Sequence, residues 1–376
     1  MVIIKNKKME NNNNMSTQPQ AQQIKKTEVA KAVSYAKPRC MTPKDVYTFD
    51  YPQILKLELD QLENFWLPGE PKVEKDKHSI LTEMDEEERH GIITTLRLFT
   101  LYELIIGLEY WGGRFKRMFP RPDFIRMATA FGFTELCIHA PFYNEINEVL
   151  GLANDDFYTS YTKDPILKER MDFLDELVSR KGSLVDDLIS VGGFSMIEGA
   201  VLYSSFAYLK SFQTNGKNKI GAIVSGVSFS TRDEHLHSLG GAISFRIAMD
   251  ESLKDGLLTQ DQVKHIHETL REMGRKTAEH EFRIIDMIYE KGDKDNQKES
   301  LKQFVMSRVN LCLNNLGIAS IFSYDDVGEN KIATTFYADI NMPVLGDFFV
   351  SLQSNYNRDW SESEFKVEAN KYVFEE

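Results

Sequence analysis

Cysteine is almost missing from this 376-residue chain: Cys40, Cys137 and Cys312 are the only three, and they lie far apart. That number and spacing exclude a disulfide framework and a zinc-binding signature, and point to a reducing cytosol. Long apolar runs are lacking too. None reaches the length needed to cross a bilayer, and the N-terminus has lysines but no apolar stretch followed by a small-residue cleavage site. Neither a membrane span nor a signal peptide is expected, and a cytoplasmic location is. Positive charge is in deficit, with 45 Lys and Arg against 57 Asp and Glu, for a formal net charge of -12. This balance argues against nonspecific binding to nucleic acid or to an anionic membrane. It suits a protein that handles small molecules or another protein. No internal repeat, Gly-rich phosphate loop or nucleophile elbow is found.

What is present is a large apolar fraction, 42% hydrophobic with 11% aromatic, enough for a sizeable core in one big domain or two. Residues 1 to about 45 are rich in Asn, Gln, Lys and Thr, too polar to offset their ordering entropy, and read as a mobile tail. Residues 46–350 read as the folded domain and 351–376, acidic with spaced aromatics, as a flexible C-terminal tail. Within the domain, Asp85 to Glu88 form an acidic helix start. The helix that follows carries Leu96, Phe99, Glu103, Ile106 and Tyr110 on one stripe. A second long helix, after Pro120 and Pro122, carries Phe124, Ala128, Phe131, Glu135, Ile138 and Phe142, with His139 and Tyr143 beside them. Further helices are expected over about 166–180, 184–213, 258–291 and 296–316. The segment 318–350 is mixed, with room for a short hairpin.

Four acidic residues interrupt these apolar stripes. Two helices offer a lone glutamate, Glu103 and Glu198. Two offer a glutamate with a histidine one turn on, Glu135/His139 and Glu234/His237, and either spacing keeps both groups on one helix face. Taken singly, each inward glutamate is better read as a core acid paired with Arg or Lys. As a set, they form the ligand inventory of a dinuclear carboxylate site inside a helix bundle. Oxygen-rich ligation with two imidazoles suits iron or manganese better than zinc. His78, His90, His235, His265, His267 and His280 have polar neighbours and read as surface residues; Cys137 reads as a small buried filler.

Glu135…His139…Tyr143, Glu198-Gly199 with Ser205-Phe206-Ala207, and Arg232-Asp233-Glu234 with His237 resemble the motifs of class I ribonucleotide reductase small subunits, the radical-generating β chains. The likeness runs in order from Phe65-Trp66 to His237 and more weakly through Asn341-Met342-Pro343. His139-Ala140-Pro141-Phe142-Tyr143 is similar to phage-type members, which would place the protein in a host cytoplasm. The resemblance implies that Glu103, Glu135, His139, Glu198, Glu234 and His237 bind two metal ions, iron, manganese or one of each, that react with oxygen. It implies a tyrosyl radical on Tyr143, with Leu202 and Phe206 lining its apolar pocket. Trp66 and Asp233 would link the metal histidine to the radical-transfer route. It further implies a homodimer, and a C-terminal tail docking on the large subunit with Tyr356, or alternatively Tyr372, relaying the radical. No cofactor beyond the metals and the radical is expected.

The expected fold is all-α, a ferritin-like helical bundle extended with additional helices, and the expected function is the radical-generating small subunit of a ribonucleoside-diphosphate reductase, active only with its large subunit. Two departures from the family pattern stand out. Glu135 and His139 are spaced by four where three is usual, which calls for a bulged turn. Glu103 stands where an aspartate is more usual. The rival readings are another dimetal oxygenase or oxidase on the same fold, and a non-catalytic metal-storage bundle.

Overall fold

A computed structural model of the chain describes residues 35–341 apart from Thr100 and Asn215, and no strand occurs among the described residues. Helix α9 (Leu184–Ala200) runs through the centre. Every residue from Asp187 to Lys210 is buried, and a helix apolar or small on all sides must lie inside a bundle. Around it pack α8 (Pro165–Ser179), α11 (Gly221–Lys254), α12 (Gln260–Ile288) and α13 (Lys298–Asn315). At the α9–α11 crossing, Ser195 Oγ donates to the Ser238 carbonyl at 2.8 Å and Ser238 Oγ to the Ser195 carbonyl at 2.9 Å. Gly199 makes that approach possible: a Cβ there would lie 2.3 Å from Ser238 Oγ and 2.4 Å from Cys312 Sγ.

A second group of helices closes the bundle. α1 (Pro52–Glu63) lies against α5 (Pro122–Thr134). α3 (Leu101–Ile105) runs into a π-helical stretch, Ile106–Phe115, and a last turn, α4 (Lys116–Met118). α5 continues through a π-helical turn, Glu135–His139, into α6 (Ala140–Leu150). α2 (Glu86–Leu96) starts where the acidic run predicts, with the Asp85 carboxylate accepting from the Glu88 N–H at 2.9 Å. Thr259 and Gln262 form a reciprocal capping box at the start of α12. The remaining helices are α7 (Asp155–Lys163), α10 (Tyr203–Lys210), α14 (Tyr324–Val327) and α15 (Lys331–Asn341).

Several expectations need correction. The helix through Leu96 and Glu103 is not continuous. It breaks after Leu96 into tighter turns, with Leu98 N–H on the Thr95 carbonyl and Phe99 N–H on that of Leu96. The break leaves Leu96, Phe99 and Glu103 all buried. The helix over 184–213 is interrupted as well: Val201 is extended and Leu202 is left-handed at φ 73°. That conformation costs a non-glycine residue about 1–2 kcal/mol, so packing must impose it. The segment after 318 holds α14 and α15 rather than a hairpin among the described residues. Of the expected N-terminal tail, residues 35–45 lie against the body, with Cys40 and Met41 buried and the Cys40 N–H on Glu251 Oε2 at 2.7 Å. Residues 1–34 and the tail 351–376 lie outside the described residues. No helix among the described residues is long and apolar enough to cross a membrane.

A buried ion pair ties two of the helices around α9 to each other. Arg170 of α8 meets Glu281 of α12, both buried, and Ser204 Oγ donates to Glu281 Oε2 at 2.8 Å. The guanidinium holds the Glu281 carboxyl below its usual range against the upward push of burial. Removing one partner of a buried pair strands the other charge. Glu281→Ala is expected to lower the unfolding free energy by about 3 kcal/mol or more, as read from urea denaturation.

Candidate metal centre

The six ligand candidates arrive on four elements: Glu103 on α3, Glu135 and His139 on the π-helical turn, Glu198 on α9, and Glu234 and His237 on α11. All six are buried, with Glu103, Glu135, His139 and His237 at 0% exposure. The π-helical turn is the bulge that the spacing of four required. It sets His139 Nδ1 3.1 Å from Glu135 Oε2. Gly107 lets the Glu103 helix close onto that turn, because a Cβ there would stand 2.6 Å from Leu136 Cγ and 3.1 Å from Glu135 Cβ.

The six side chains form two overlapping groups, Glu103, Glu135, His139 and Glu234 in one, and Glu135, Glu198, Glu234 and His237 in the other, with ligand atoms in each group within 4.8 Å of one another. Glu135 and Glu234 belong to both. Glu135 places Oε2 by His139 and Oε1 by His237 at 2.6 Å. Glu234 places Oε1 3.3 Å from His139 and Oε2 3.5 Å from His237. These two carboxylates therefore bridge the groups, while Glu103 and Glu198 close either end. Glu135 Oε1 and His237 Nδ1 are near neighbours, yet neither has a hydrogen bond of acceptable geometry. They are directed at shared space rather than at each other.

Both oxygens of Glu103 are buried without a hydrogen-bond partner. Its carboxyl lies against that of Glu135, and two carboxylates in contact repel unless a proton or a cation stands between them. Burial, then the charges of Glu135 and Glu234, push the Glu103 carboxyl far above its usual range; burial, Glu234 and Glu135 do the same to Glu198. Glu135 goes the other way, because His139 and His237 together outweigh its burial. Burial pulls both imidazoles down, but the carboxylates prevail: His139 ends well above its usual value and His237 at about 9. The donor set fits two divalent cations. Four carboxylates would balance their charge, and oxygen with imidazole nitrogen suits iron or manganese.

Behind these residues lies a hydrogen-bonded layer. Asp233 Oδ2 faces His139 Nε2 at 3.0 Å and accepts from Trp66 Nε1 at 2.9 Å. Gln61 Nε2 donates to Asp233 Oδ1 at 2.8 Å, and Gln61 Oε1 lies 3.1 Å from His237 Nε2. On the opposite side Trp111 Nε1 donates to Glu198 Oε1 at 2.6 Å. Gln61 and Trp111 were missed in the sequence. Trp111 left one usable sign, an indole on an apolar stripe whose N–H needs an acceptor; Gln61 left none.

Tyr143 on α6 is fully buried, and its ring stacks on Phe99 at 4.1 Å, which in turn stacks on Phe206 at 5.6 Å. The hydroxyl makes no hydrogen bond of normal geometry, though Ser230 is its polar neighbour. Burial raises the phenol well above its usual value. Leu202 is buried too. Tyr356 and Tyr372 lie outside the described residues. Three readings of lesser residues are corrected. Cys137 is exposed, because the π-helical turn rotates it outward. His280 is buried, its Nε2 2.9 Å from the Ile166 carbonyl. His235 is half-buried, with its imidazole lowered by burial to about 4.

Residues 43–330 match the family model described as ribonucleotide reductase, small chain. A probable ribonucleoside-diphosphate reductase small subunit of Invertebrate iridescent virus 3 is 23% identical over 320 residues, covering 78% of this chain and 80% of that protein. Among solved structures, the dimanganese(II) NrdF of Streptococcus sanguinis is similar with a TM-score of 0.65 and 18% identity, over 78% of this chain and 99% of that one. A putative class I ribonucleotide reductase from Bacillus halodurans gives the same score and identity over 80% and 93%. These structural likenesses establish the shared ferritin-like fold.

The crowding of carboxylates carries a stability cost that a neutral side chain relieves. Glu103→Gln is expected to stabilise the chelator-treated protein by about 1 kcal/mol, measured as a raised denaturation midpoint.

Proposed function

The chain belongs to the ribonucleotide reductase small-chain family, and on that premise we propose that its buried cluster holds two redox-active metal ions and that Tyr143 stores the radical its large subunit uses on ribonucleoside diphosphates. The observation that carries this reading is the pair of overlapping four-ligand groups bridged by Glu135 and Glu234. Iron, manganese or one of each fits the donors; the Streptococcus sanguinis relative is a dimanganese(II) protein. When bound, the divalent ions would give electrons to oxygen, the oxidant whose reduction lets a phenol lose an electron.

The chain's own residues do the rest. Glu103, Glu135, Glu198 and Glu234 neutralise the ions, and the Nδ1 atoms of His139 and His237 complete each set. Tyr143 is protonated at any operating pH, since burial raises its phenol, so its oxidation must release a proton as well as an electron. Phe99, stacked between Tyr143 and Phe206, covers the face of its ring against water and reductants, and buried Leu202 is assigned to the same apolar pocket. Trp66, Asp233 and His139 form an unbroken hydrogen-bonded line from the cluster toward the surface, where Phe65 and Leu67 are exposed. Such a line suits radical transfer better than an oxygenase or a storage bundle, neither of which needs it. Tyr356 on the C-terminal tail would continue the route into the large subunit.

A homodimer is supported by an exposed apolar face. Leu104 and Leu108, four residues apart where α3 runs into the π-helical stretch, are exposed, and so are Phe133 and Phe65, whose rings stack at 6.5 Å. Large apolar side chains left exposed in such number suit an association surface. Phe133→Asp with Leu108→Asp is expected to shift the sedimentation coefficient from dimer to monomer.

The radical assignment is tested by low-temperature paramagnetic resonance after loading with iron or manganese and exposure to oxygen. A persistent signal is expected, lost in Tyr143→Phe while metal content stays at two ions per chain. A tyrosyl signal surviving in that variant rules out Tyr143 as its seat. Glu135→Ala or Glu234→Ala is expected to lose both ions, whereas Glu198→Ala keeps one.

A further inference from the structure

Arg308 lies far from the motifs, on α13, yet it spans the interruption that follows Glu198. It is 1% exposed. Its Nε donates to the Gly199 carbonyl at 2.8 Å, on the near side of the break. Its guanidinium carbon stands 3.8 Å over the Tyr203 ring, on the far side. Between the two grips are extended Val201 and left-handed Leu202.

The last carbonyls of a helix have no donors from a following turn and must find them elsewhere. Here Arg308 meets that of Gly199, the residue next to Glu198. A leucine at φ 73° does not adopt that conformation by preference, so the break has to be held. A planar guanidinium can donate to a carbonyl at its edge and stack on a ring with its face. Of the six candidate ligands, Glu198 alone comes from α9, and it lies in the helix turn that this contact fixes.

Resting on the two-ion reading above, we propose that Arg308 is a positioning residue: by holding α9 broken after Ala200 it sets the reach of Glu198, and so governs the ion bound by Glu198 and His237 but not the one bound by Glu103 and His139.

The test is equilibrium dialysis of Mn(II) against the full chain, wild type beside Arg308→Met. The variant is expected to keep one ion at wild-type affinity and to bind the other about 10–100-fold more weakly, the usual effect of losing an outer partner of a ligand. Leu202→Gly in the same background should restore most of that loss, because glycine accepts the positive φ freely. Loss at both ions alike, loss at neither, or no restoration by Leu202→Gly overturns the proposal. If Arg308→Met does not fold, Arg308→Lys, which keeps the charge but lacks the planar face, carries the same expectations. A wild type that binds fewer than two ions instead defeats the two-ion reading beneath it.

Discussion

A carboxylate sealed inside a protein must be met by a proton, a partner or a cation, and in this bundle the need arises four times within a few ångströms. Glu103 shows it most plainly, with both oxygens buried and unpartnered. His139 and His237 offset part of the negative charge, but they also lean on Glu135 and Glu234, so the cluster cannot be satisfied internally. A fold that keeps such a cluster stores unfavourable electrostatics for a ligand of opposite sign. Elsewhere the chain settles its buried charges locally, as Arg170 does with Glu281 and Arg114 with Asp187.

The surrounding packing exists to aim those side chains. Small residues at helix crossings bring the backbones close: Gly107 lets the Glu103 helix approach the π-helical turn, and Gly199 lets α9 touch both α11 and α13. Reciprocal serine bonds fix the α9–α11 crossing one turn from Glu198. The outer hydrogen bonds of Asp233, Gln61 and Trp111 then hold the candidate ligands. Orientation passes from backbone to outer layer to ligand, so residues remote in sequence act on the same few atoms.

Much of this was legible in the sequence, and the reasons differ by element. The four interrupting glutamates could be seen because a charge on an apolar stripe violates helical periodicity, and the structure gathers all four with His139 and His237. The spacing of four between Glu135 and His139 called for a bulge, and a π-helical turn is found there. Helix continuity was not legible. The breaks after Leu96 and Ala200 are imposed by tertiary packing that overrides local preference, and Leu202 is no residue one would choose for φ 73°. Cys137 is exposed for a different reason, since an α-helical wheel drawn through a π-helical turn assigns the wrong face. Gln61 left no periodic trace because a glutamine on a helix is ordinary until its neighbours are known.

The completeness of the burial bears on how an ion gets in. Four of the six candidate ligands have no exposure at all, and they come from three separate helical elements. A cation in bulk solvent therefore meets closed walls, and capture has to wait for a transient parting of the bundle, an event whose frequency belongs to the protein's breathing and not to diffusion. Once trapped, the ion leaves by the same rare opening, so slow loading and long retention are two faces of one property.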